Sequence, residues 1–264
     1  MPTIDDRYDH ASGVIREAGA LALDYFRRFE TLDVKSKGVQ DMASEADVET
    51  QKLLEASITS AFPGDAFLGE EDPESFVPDP KKGTWIVDPV DGTQPFVNGI
   101  PSWCVSIAYV EGTTFKIGVV FDPVNDELFA AKANAGATLN GRVINASGAV
   151  GLEEGLVSVG FSNRVSPEDT LGPLTRLVHR KGMYHRSGSG ALSLAYVAAG
   201  RLIGYFEPHM NSWDFAASAL IIKEAGGVIN DCLPNDEALI KGGLVLAAAP
   251  GVFDALSDVV FGTD

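Results

Sequence analysis

Apolar residues recur at helical spacing in the N-terminal part of the chain, with polar residues between them. This series predicts an amphipathic helix over about residues 9–29; its members are Val14, Ala18, Leu21, Ala22, Tyr25, Phe26 and Phe29. Ser44 is a favourable N-cap and Asp47 follows in the first turn, so a second helix is predicted to begin there and to end before Pro63. The segment 35–41 between them predicts a loop or a short hairpin.

The middle of the chain shows apolar, β-branched stretches separated by turn residues, a pattern typical of strands. The predicted strands are residues 85–88, 104–111, 114–121 and 127–131. Asn140-Gly141 is the strongest hairpin signal in the chain. The pattern therefore favours an antiparallel sheet in this region.

After residue 147 the pattern changes, and segments typical of strands alternate with segments typical of helices. The predicted strands are 157–160, 183–186, 204–207 and 244–247, and the predicted helices are 167–181, 191–199, 213–225 and 251–260. Alternation of this kind indicates a layered α/β arrangement. Periodicity alone predicts only a mixed α and β fold.

Composition limits the classes of protein that the chain can belong to. At 264 residues with 45% hydrophobic residues, it has enough material for one large domain or two small ones. A formal net charge of −17 argues against nucleic-acid binding, which needs basic surface. The chain contains no apolar run long enough to span a membrane, and its polar, acidic start is unlike a signal peptide, so we expect a cytoplasmic protein without membrane contact. Cys104 and Cys232 form no metal motif and are typical of reduced thiols in such a protein.

The first candidate for chemistry is the end of the strand at residues 85–88. It continues as Asp88-Pro89-Val90-Asp91-Gly92-Thr93, which places two carboxylates before a glycine and a hydroxyl residue. Carboxylates suit hard cations such as Mg²⁺, and a glycine beside backbone amides lets a phosphate approach closely. Asp-Pro and Asp-Gly are also common in ordinary turns, so this motif alone does not decide between a turn and a site.

Two more acidic sites share this character and carry a resemblance. Glu70 follows the apolar Phe67-Leu68, and Asp214 follows Trp213 at the start of an apolar helix that Gly226-Gly227 closes. With the Asp88–Thr93 motif, they resemble the inositol monophosphatase family from about residue 41 to 249. The resemblance implies an α/β (α+β) fold, a layered α/β/α/β/α sandwich. It also implies a single domain over residues 1–264, with an N-terminal α+β half to about 147 and a C-terminal α/β half from about 148.

The resemblance also implies the ligands of two or three Mg²⁺ ions, for which Mn²⁺ could substitute. They are Glu70, Asp88, Asp91, Asp214 and the backbone carbonyl of Val90. Ligation by oxygen alone predicts Mg²⁺ or Mn²⁺ rather than Zn²⁺. Such an enzyme would be a lithium-sensitive hydrolase, and the family is commonly homodimeric.

The remaining roles follow from the same resemblance. Asp47 and Thr93 would help to activate water, and Glu71 would assist or position it. Asp47 is equally an acid in the first turn of a helix, and Glu71 could belong to a solvated acidic surface. Gly92 and Thr93 would bind phosphate, and the residues expected at the substrate are Ser189, Gly190, Ala191 and Glu207.

The implied function is that of a Mg²⁺-dependent phosphomonoesterase that hydrolyses a small phosphorylated metabolite by attack of metal-activated water. Myo-inositol monophosphate is the expected substrate. Histidinol phosphate is the alternative, because the resemblance extends to histidinol phosphatases with the same metal motif. Gln94-Pro95 and Asn211-Ser212 depart from the family pattern near the expected pocket and weigh against inositol. Other sugar or nucleotide phosphates, and a non-catalytic, metal-binding regulatory protein, are more distant alternatives.

Overall fold

A computed structural model describes residues 2–38, 41–79 and 81–263. The helices and strands, in chain order, are α1 (Ile4–Phe26), β1 (Val34–Gly38), β2 (Asp41–Ser44), α2 (Glu45–Ala61), β3 (Ala66–Gly69), β4 (Gly83–Asp91), α3 (Thr93–Val97), β5 (Cys104–Glu111), β6 (Thr114–Asp122), β7 (Glu127–Lys132), β8 (Ala137–Leu139), β9 (Arg142–Val143), β10 (Leu156–Val159), α4 (Glu168–His179), β11 (Met183–His185), α5 (Gly190–Ala198), β12 (Gly204–Met210), α6 (Ser212–Glu224), β13 (Val228–Ile229), α7 (Ala238–Lys241), β14 (Gly243–Ala248) and α8 (Phe253–Phe261).

Two large sheets form the framework. The seven-stranded sheet has the order β3-β4-β5-β6-β7-β8-β9 and is antiparallel except where β3 pairs with β4. The five-stranded sheet has the order β11-β10-β12-β14-β13, and β10 is parallel to both of its neighbours. β1 and β2 form a separate antiparallel pair.

Helices cover both faces of the two sheets, and three buried clusters show their order. Apolar residues of α1 and α2 pack on one face of the seven-stranded sheet. α5 and α6 lie between its other face and the five-stranded sheet, in the largest cluster. α4 and α8 cover the far face of the five-stranded sheet. The layers are therefore α/β/α/β/α, as predicted.

A bulge in β4 puts two acidic residues on the same face of the sheet. Asp88 pairs with Ser106 and Asp91 with Cys104, so three steps along β4 match two steps along β5. In a regular strand residues three apart point to opposite faces, and the extra residue of a bulge cancels that alternation. Asp88 shares the face of Ile86, which packs in the cluster with α5 and α6. Both carboxylates therefore belong to the layer between the sheets.

Most of the predicted elements are confirmed, with shifts at their ends. α1 begins at Ile4, earlier than expected, because Thr3 caps it and exchanges hydrogen bonds with Asp6. Ser44 is the N-cap of α2, and the Asn140-Gly141 hairpin joins β8 to β9 with positive φ at both turn residues. Of the predicted hairpin at 35–41, β1 and β2 form the two strands, and residues 39–40 lie outside the described part.

Three short elements escaped the sequence reasoning, namely β3, β13 and α7. Each has four residues or fewer, which is too short for a periodic pattern to stand out. Among the described residues, no helix combines the length and the apolar character needed to cross a membrane.

Candidate active site

A cavity of about 140 Å³ opens where β4, the N-termini of α5 and α6, and strands β10 and β12 meet. Asp88 and Asp91 reach it from β4, and Asp214 from the first turn of α6. One carboxylate oxygen of each lies within 4.8 Å of the others. Glu70, at the end of β3, lines the same cavity. The predicted acidic cluster is therefore assembled from three separate parts of the chain.

Local hydrogen bonds fix two of these carboxylates. Asp88 Oδ1 accepts the backbone N–H of Val90, at 2.9 Å. Asp214 Oδ2 accepts the backbone N–H of Asn211, at 2.8 Å, and so closes the first turn of α6. The backbone therefore sets the direction of each of these side chains.

The buried carboxylates lie close enough together to repel one another, and this charge favours the binding of a cation. Burial raises the pKa of Asp88 well above its ordinary value, and repulsion from Glu70, Asp91 and Asp214 adds to this effect. Burial likewise raises the pKa of Asp214, with repulsion from Glu70 and Asp91. A divalent cation would remove this repulsion, and an all-oxygen donor set is what Mg²⁺ or Ca²⁺ prefers. The residues present therefore fit a hard metal ion.

Asp91 has a different environment, because it sits at the N-terminus of α5. It accepts hydrogen bonds from the Ser189 hydroxyl, from Gly190 N at 3.2 Å and from Ala191 N at 2.7 Å. The Cys104 thiol lies 3.6 Å from its Oδ2. Burial raises the pKa of Asp91, whereas these donors lower it. Helix N-termini stabilise negative charge in this way.

The turn after β4 is built around Gly92, whose φ is +99°. A Cβ atom there would lie 2.9 Å from the Ser102 carbonyl oxygen and 3.1 Å from the Ser189 Cβ. Only glycine fits this position, because both the backbone conformation and the space exclude a side chain. The turn starts the short helix α3 at Thr93.

Thr93 connects this turn to α2. Its hydroxyl lies 3.1 Å from Asp47 Oδ1 and 3.3 Å from the Val90 carbonyl, and can donate to either. Asp47 is fully buried, and its Oδ2 accepts from Ser44 N at 2.8 Å and from Ser44 Oγ at 2.6 Å. Burial raises the pKa of Asp47, and the hydrogen bonds oppose that shift. Asp47 is thus a helix-capping acid that also contacts Thr93.

Glu207 lies on the opposite wall of the cavity, on β12. The Tyr205 hydroxyl donates a hydrogen bond to its carboxylate. A Cβ atom on Gly160 would lie 2.0 Å from Glu207 Oε2, so a glycine there leaves room for the carboxylate in this position. Burial and repulsion from Asp91 raise the pKa of Glu207 to about 7, although the Tyr205 hydrogen bond and Arg186 lower it.

The cavity contains most of the predicted site residues but not all of them. Those that line it are Glu70, Asp88, Val90, Asp91, Gly92, Thr93, Ser189, Gly190, Glu207 and Asp214. Asp47 lies behind Thr93, and Ala191 reaches the site through its N–H to Asp91. Glu71 lies on a neighbouring groove beyond Glu70, where its N–H donates to Gln51 Oε1 at 2.9 Å. The role predicted for Glu71 at the attacking water stays a prediction.

Several lining residues were missed by the sequence reasoning. Among them are Ser158, Arg186, Ser193, Tyr205 and Met210. A signal existed for Tyr205, because it stands two positions before Glu207 on a strand and therefore points the same way. The serines gave no signal, because nothing in their sequence context separates them from other small buried residues.

Comparison with known proteins identifies the family. A model of the inositol monophosphatase family matches residues 4–259. A Pseudomonas aeruginosa protein named Nus factor SuhB is 36% identical over 237 residues, 87% of each chain. An inositol-1-monophosphatase from Mesorhizobium japonicum is 35% identical over 222 residues, 83% of each chain. The structure of the extragenic suppressor protein suhB from Bartonella henselae superposes with a TM-score of 0.87 at 30% identity, covering 97% of this chain and 98% of that one.

The chain therefore belongs to the inositol monophosphatase family, and it is a metal-dependent phosphatase. This confirms the resemblance, the layered fold and the predicted class of enzyme.

Proposed function

We propose that this protein is a Mg²⁺-dependent phosphomonoesterase that converts myo-inositol monophosphate to myo-inositol and phosphate. The observation that carries the proposal is the convergence of the Asp88, Asp91 and Asp214 carboxylates within 4.8 Å at one end of the cavity. The Gly92 turn lies beside them, and the Glu207 wall faces them across the same space. The cavity thus contains the acidic residues for the metal, the turn for the phosphate and the wall for the alcohol part of the substrate.

Two or three Mg²⁺ ions would be held by Glu70, Asp88, Asp91, Asp214 and the Val90 carbonyl. Mn²⁺ would be expected to replace Mg²⁺, since it accepts the same oxygen donors. When bound, these ions supply positive charge that neutralises the phosphate and acidifies a water molecule. The environment of the carboxylates supports this assignment, because burial and then mutual repulsion raise the pKa values of Asp88 and Asp214, and a cation would offset both effects.

Thr93 and Asp47 would orient the attacking water. The Thr93 hydroxyl lies 3.1 Å from the buried Asp47, and a hydrogen bond to this carboxylate would orient the threonine relative to α2. In that arrangement the Thr93 oxygen keeps lone pairs that can accept a hydrogen bond from the water and so orient it. The backbone at Gly92 and Thr93 would bind the phosphate, because both residues line the cavity beside the carboxylates and start the short helix α3.

The opposite wall suits an alcohol with several hydroxyl groups. The Glu207 carboxylate accepts hydrogen bonds, and the hydroxyls of Ser158, Ser187 and Ser193 line the same space. The Ser187 and Ser193 hydroxyls are 2.7 Å apart, and one donates to the other. A polyol such as inositol can exchange hydrogen bonds with such a wall, and this supports inositol monophosphate as the substrate.

A substrate panel tests this proposal. Phosphate release would be measured with Mg²⁺ for inositol 1-phosphate, histidinol phosphate, fructose 1,6-bisphosphate and adenosine 3′,5′-bisphosphate at equal concentration. We expect inositol 1-phosphate to be preferred by about 100-fold, which corresponds to about 2.7 kcal/mol in the transition state. A preference for histidinol phosphate would keep the metal chemistry and replace the substrate.

We further propose that residues 1–264 act as one domain in a cytoplasmic, lithium-sensitive homodimer. The largest buried cluster includes residues of both halves, from Leu68 to Ala247, which supports a single domain. Light scattering would measure the mass in solution, and a lithium titration of the phosphatase rate would measure the inhibition. A monomer, or a rate insensitive to lithium, would contradict the respective part.

A further inference from the structure

The start of α5 holds the Asp91 carboxylate through several hydrogen bonds, a role that differs from substrate binding. Asp91 Oδ2 accepts the Ser189 hydroxyl and the Ala191 N–H, and the Cys104 thiol lies 3.6 Å away. Within the described part of the chain, Asp91 Oδ1 accepts only the Gly190 N–H, at 3.2 Å. A carboxylate offers about two lone pairs on each oxygen. These donors therefore occupy Oδ2 and leave one lone pair on Oδ1.

The Ser189 hydroxyl is fully committed in this arrangement. It is the N-cap of α5 and accepts the N–H of Leu192, at 3.3 Å. A hydroxyl has a single proton, and here the proton goes to Asp91. Ser189 is buried, with only 2% of its surface exposed, so water does not compete for that proton. One side chain thus ties the helix start to the carboxylate.

A second set of hydrogen bonds holds the turn that carries Ser189. Ser193 Oγ donates to the Ser189 carbonyl at 2.7 Å, and Ser187 Oγ lies 3.0 Å from the same oxygen. Ser189 N donates to Ser187 Oγ at 3.2 Å. The backbone on both sides of Ser189 is therefore fixed, and the direction of its hydroxyl is fixed with it.

We propose that Ser189 is a positioning residue, which turns Asp91 so that Oδ1 meets the metal ion, and that it does not contact the substrate. This inference rests on the proposed function, in which Asp91 is a metal ligand. Partners that orient a metal-binding side chain commonly change metal affinity by about 10- to 100-fold when they are removed. A direct substrate contact would instead change KM and leave the metal affinity as it was.

The test is calorimetric titration of the purified full chain with Mg²⁺ alone, followed by steady-state kinetics. We expect Ser189→Ala to bind Mg²⁺ about 10- to 100-fold more weakly than the wild type. Ser189→Thr keeps a hydroxyl and should restore most of the affinity. Ser189→Gly is a second test of the lost hydroxyl, since glycine is nearly as good an N-cap and the variant should fold even if the alanine variant does not.

Ser218→Ala is the matched control. Ser218 is also a buried serine against the start of α5, but its hydroxyl donates to the Ala191 carbonyl, at 2.7 Å, rather than to Asp91. We expect this variant to lose some thermal stability and to keep the wild-type Mg²⁺ affinity. An equal loss of Mg²⁺ affinity in Ser218→Ala would show a general packing effect and overturn the inference.

Two further outcomes separate this inference from the proposed function. If Ser189→Ala and Ser189→Gly bind Mg²⁺ as tightly as the wild type does while their KM rises, Ser189 is a substrate contact and the inference is wrong. If the wild type itself binds no Mg²⁺, the proposed function fails and the inference fails with it.

Discussion

Gly92→Ala is a sharp test of the turn between β4 and α3, because this glycine meets two separate constraints. Its φ of +99° lies in a region that residues with a Cβ atom rarely adopt. An added Cβ would also lie 2.9 Å from the Ser102 carbonyl oxygen and 3.3 Å from the Trp103 Cα, both of which are backbone atoms. Neither neighbour can rotate out of the way.

The expected loss of stability has a backbone part and a packing part. Placing a non-glycine residue at positive φ costs roughly 1–2 kcal/mol. Overpacking at a site that cannot relax costs about a further 1–3 kcal/mol. We therefore expect Gly92→Ala to lower the free energy of unfolding by about 2–5 kcal/mol. Phosphatase activity should fall with it, because the turn carries Thr93.

Gly112→Ala is the matched control for the backbone part alone. Gly112 lies in the turn between β5 and β6 with a φ of +58°, and no atom of the described residues beyond its chain neighbours would lie within 4 Å of an added Cβ. We expect this variant to lose only about 1–2 kcal/mol and to keep full activity. Thermal unfolding would separate the two variants, since a chain of this size shifts by about 2–4 °C for each kcal/mol.

The two variants would refute this reasoning if they behaved alike. Equal melting temperatures would mean that the backbone around Ser102 and Trp103 moves freely to admit a methyl group. Full activity in Gly92→Ala would mean that the geometry of the turn does not matter to phosphate binding.

Three further predictions concern other parts of the molecule. Asp65→Ala leaves the largely buried Arg7 guanidinium without its carboxylate partner, so it should lower the free energy of unfolding in urea by about 3–5 kcal/mol. Glu49→Ala, which breaks an exposed ion pair, should lower it by less than about 1 kcal/mol. Equal losses in the two variants would contradict the role of burial. The folded chain keeps the Glu207 proton up to a pKa of about 7, against 4.5 ordinarily, so wild-type stability falls as pH rises through that window. We therefore expect the melting temperature of Glu207→Gln, measured in EDTA, to rise relative to that of the wild type as pH increases through this window. A difference in melting temperature that does not change with pH would argue against this. Asp214→Asn relieves carboxylate repulsion, so without metal its melting temperature should be no lower than that of the wild type. Mg²⁺ should no longer raise the melting temperature of this variant, and an undiminished rise would count against the metal site.

The sequence predicted the acidic residues of the site but not how the fold brings them together. If β4 were a regular strand, Asp88 and Asp91 would lie on opposite faces of the sheet, because they are three positions apart and side chains alternate between the faces. Only the pairing with Ser106 and Cys104 reveals the bulge that reunites them. A bulge depends on the partner strand, and a local pattern contains no information about that partner.

The contact between Asp91 and Ser189 was also beyond reach, because 98 positions separate them. Sequence reasoning placed the backbone of residues 189–191 at the substrate, which stays a prediction, and it gave no sign that the Ser189 hydroxyl donates to the Asp91 carboxylate. Helix N-caps are recognisable locally, but the acceptor that a cap finds depends on tertiary packing. Glu70 and Glu71 show the same limit, since Glu70 lines the acidic cavity whereas its neighbour Glu71 lies on the adjoining groove.

The decisive measurement is the steady-state release of phosphate from myo-inositol 1-phosphate by the purified protein, first with Mg²⁺ and then with excess EDTA. We predict turnover in the ordinary range for enzymes, about 1–10³ s⁻¹, that chelation abolishes and renewed Mg²⁺ restores. Release at the same rate in EDTA, or no release with Mg²⁺ above the rate without protein, would contradict a Mg²⁺-dependent inositol monophosphatase.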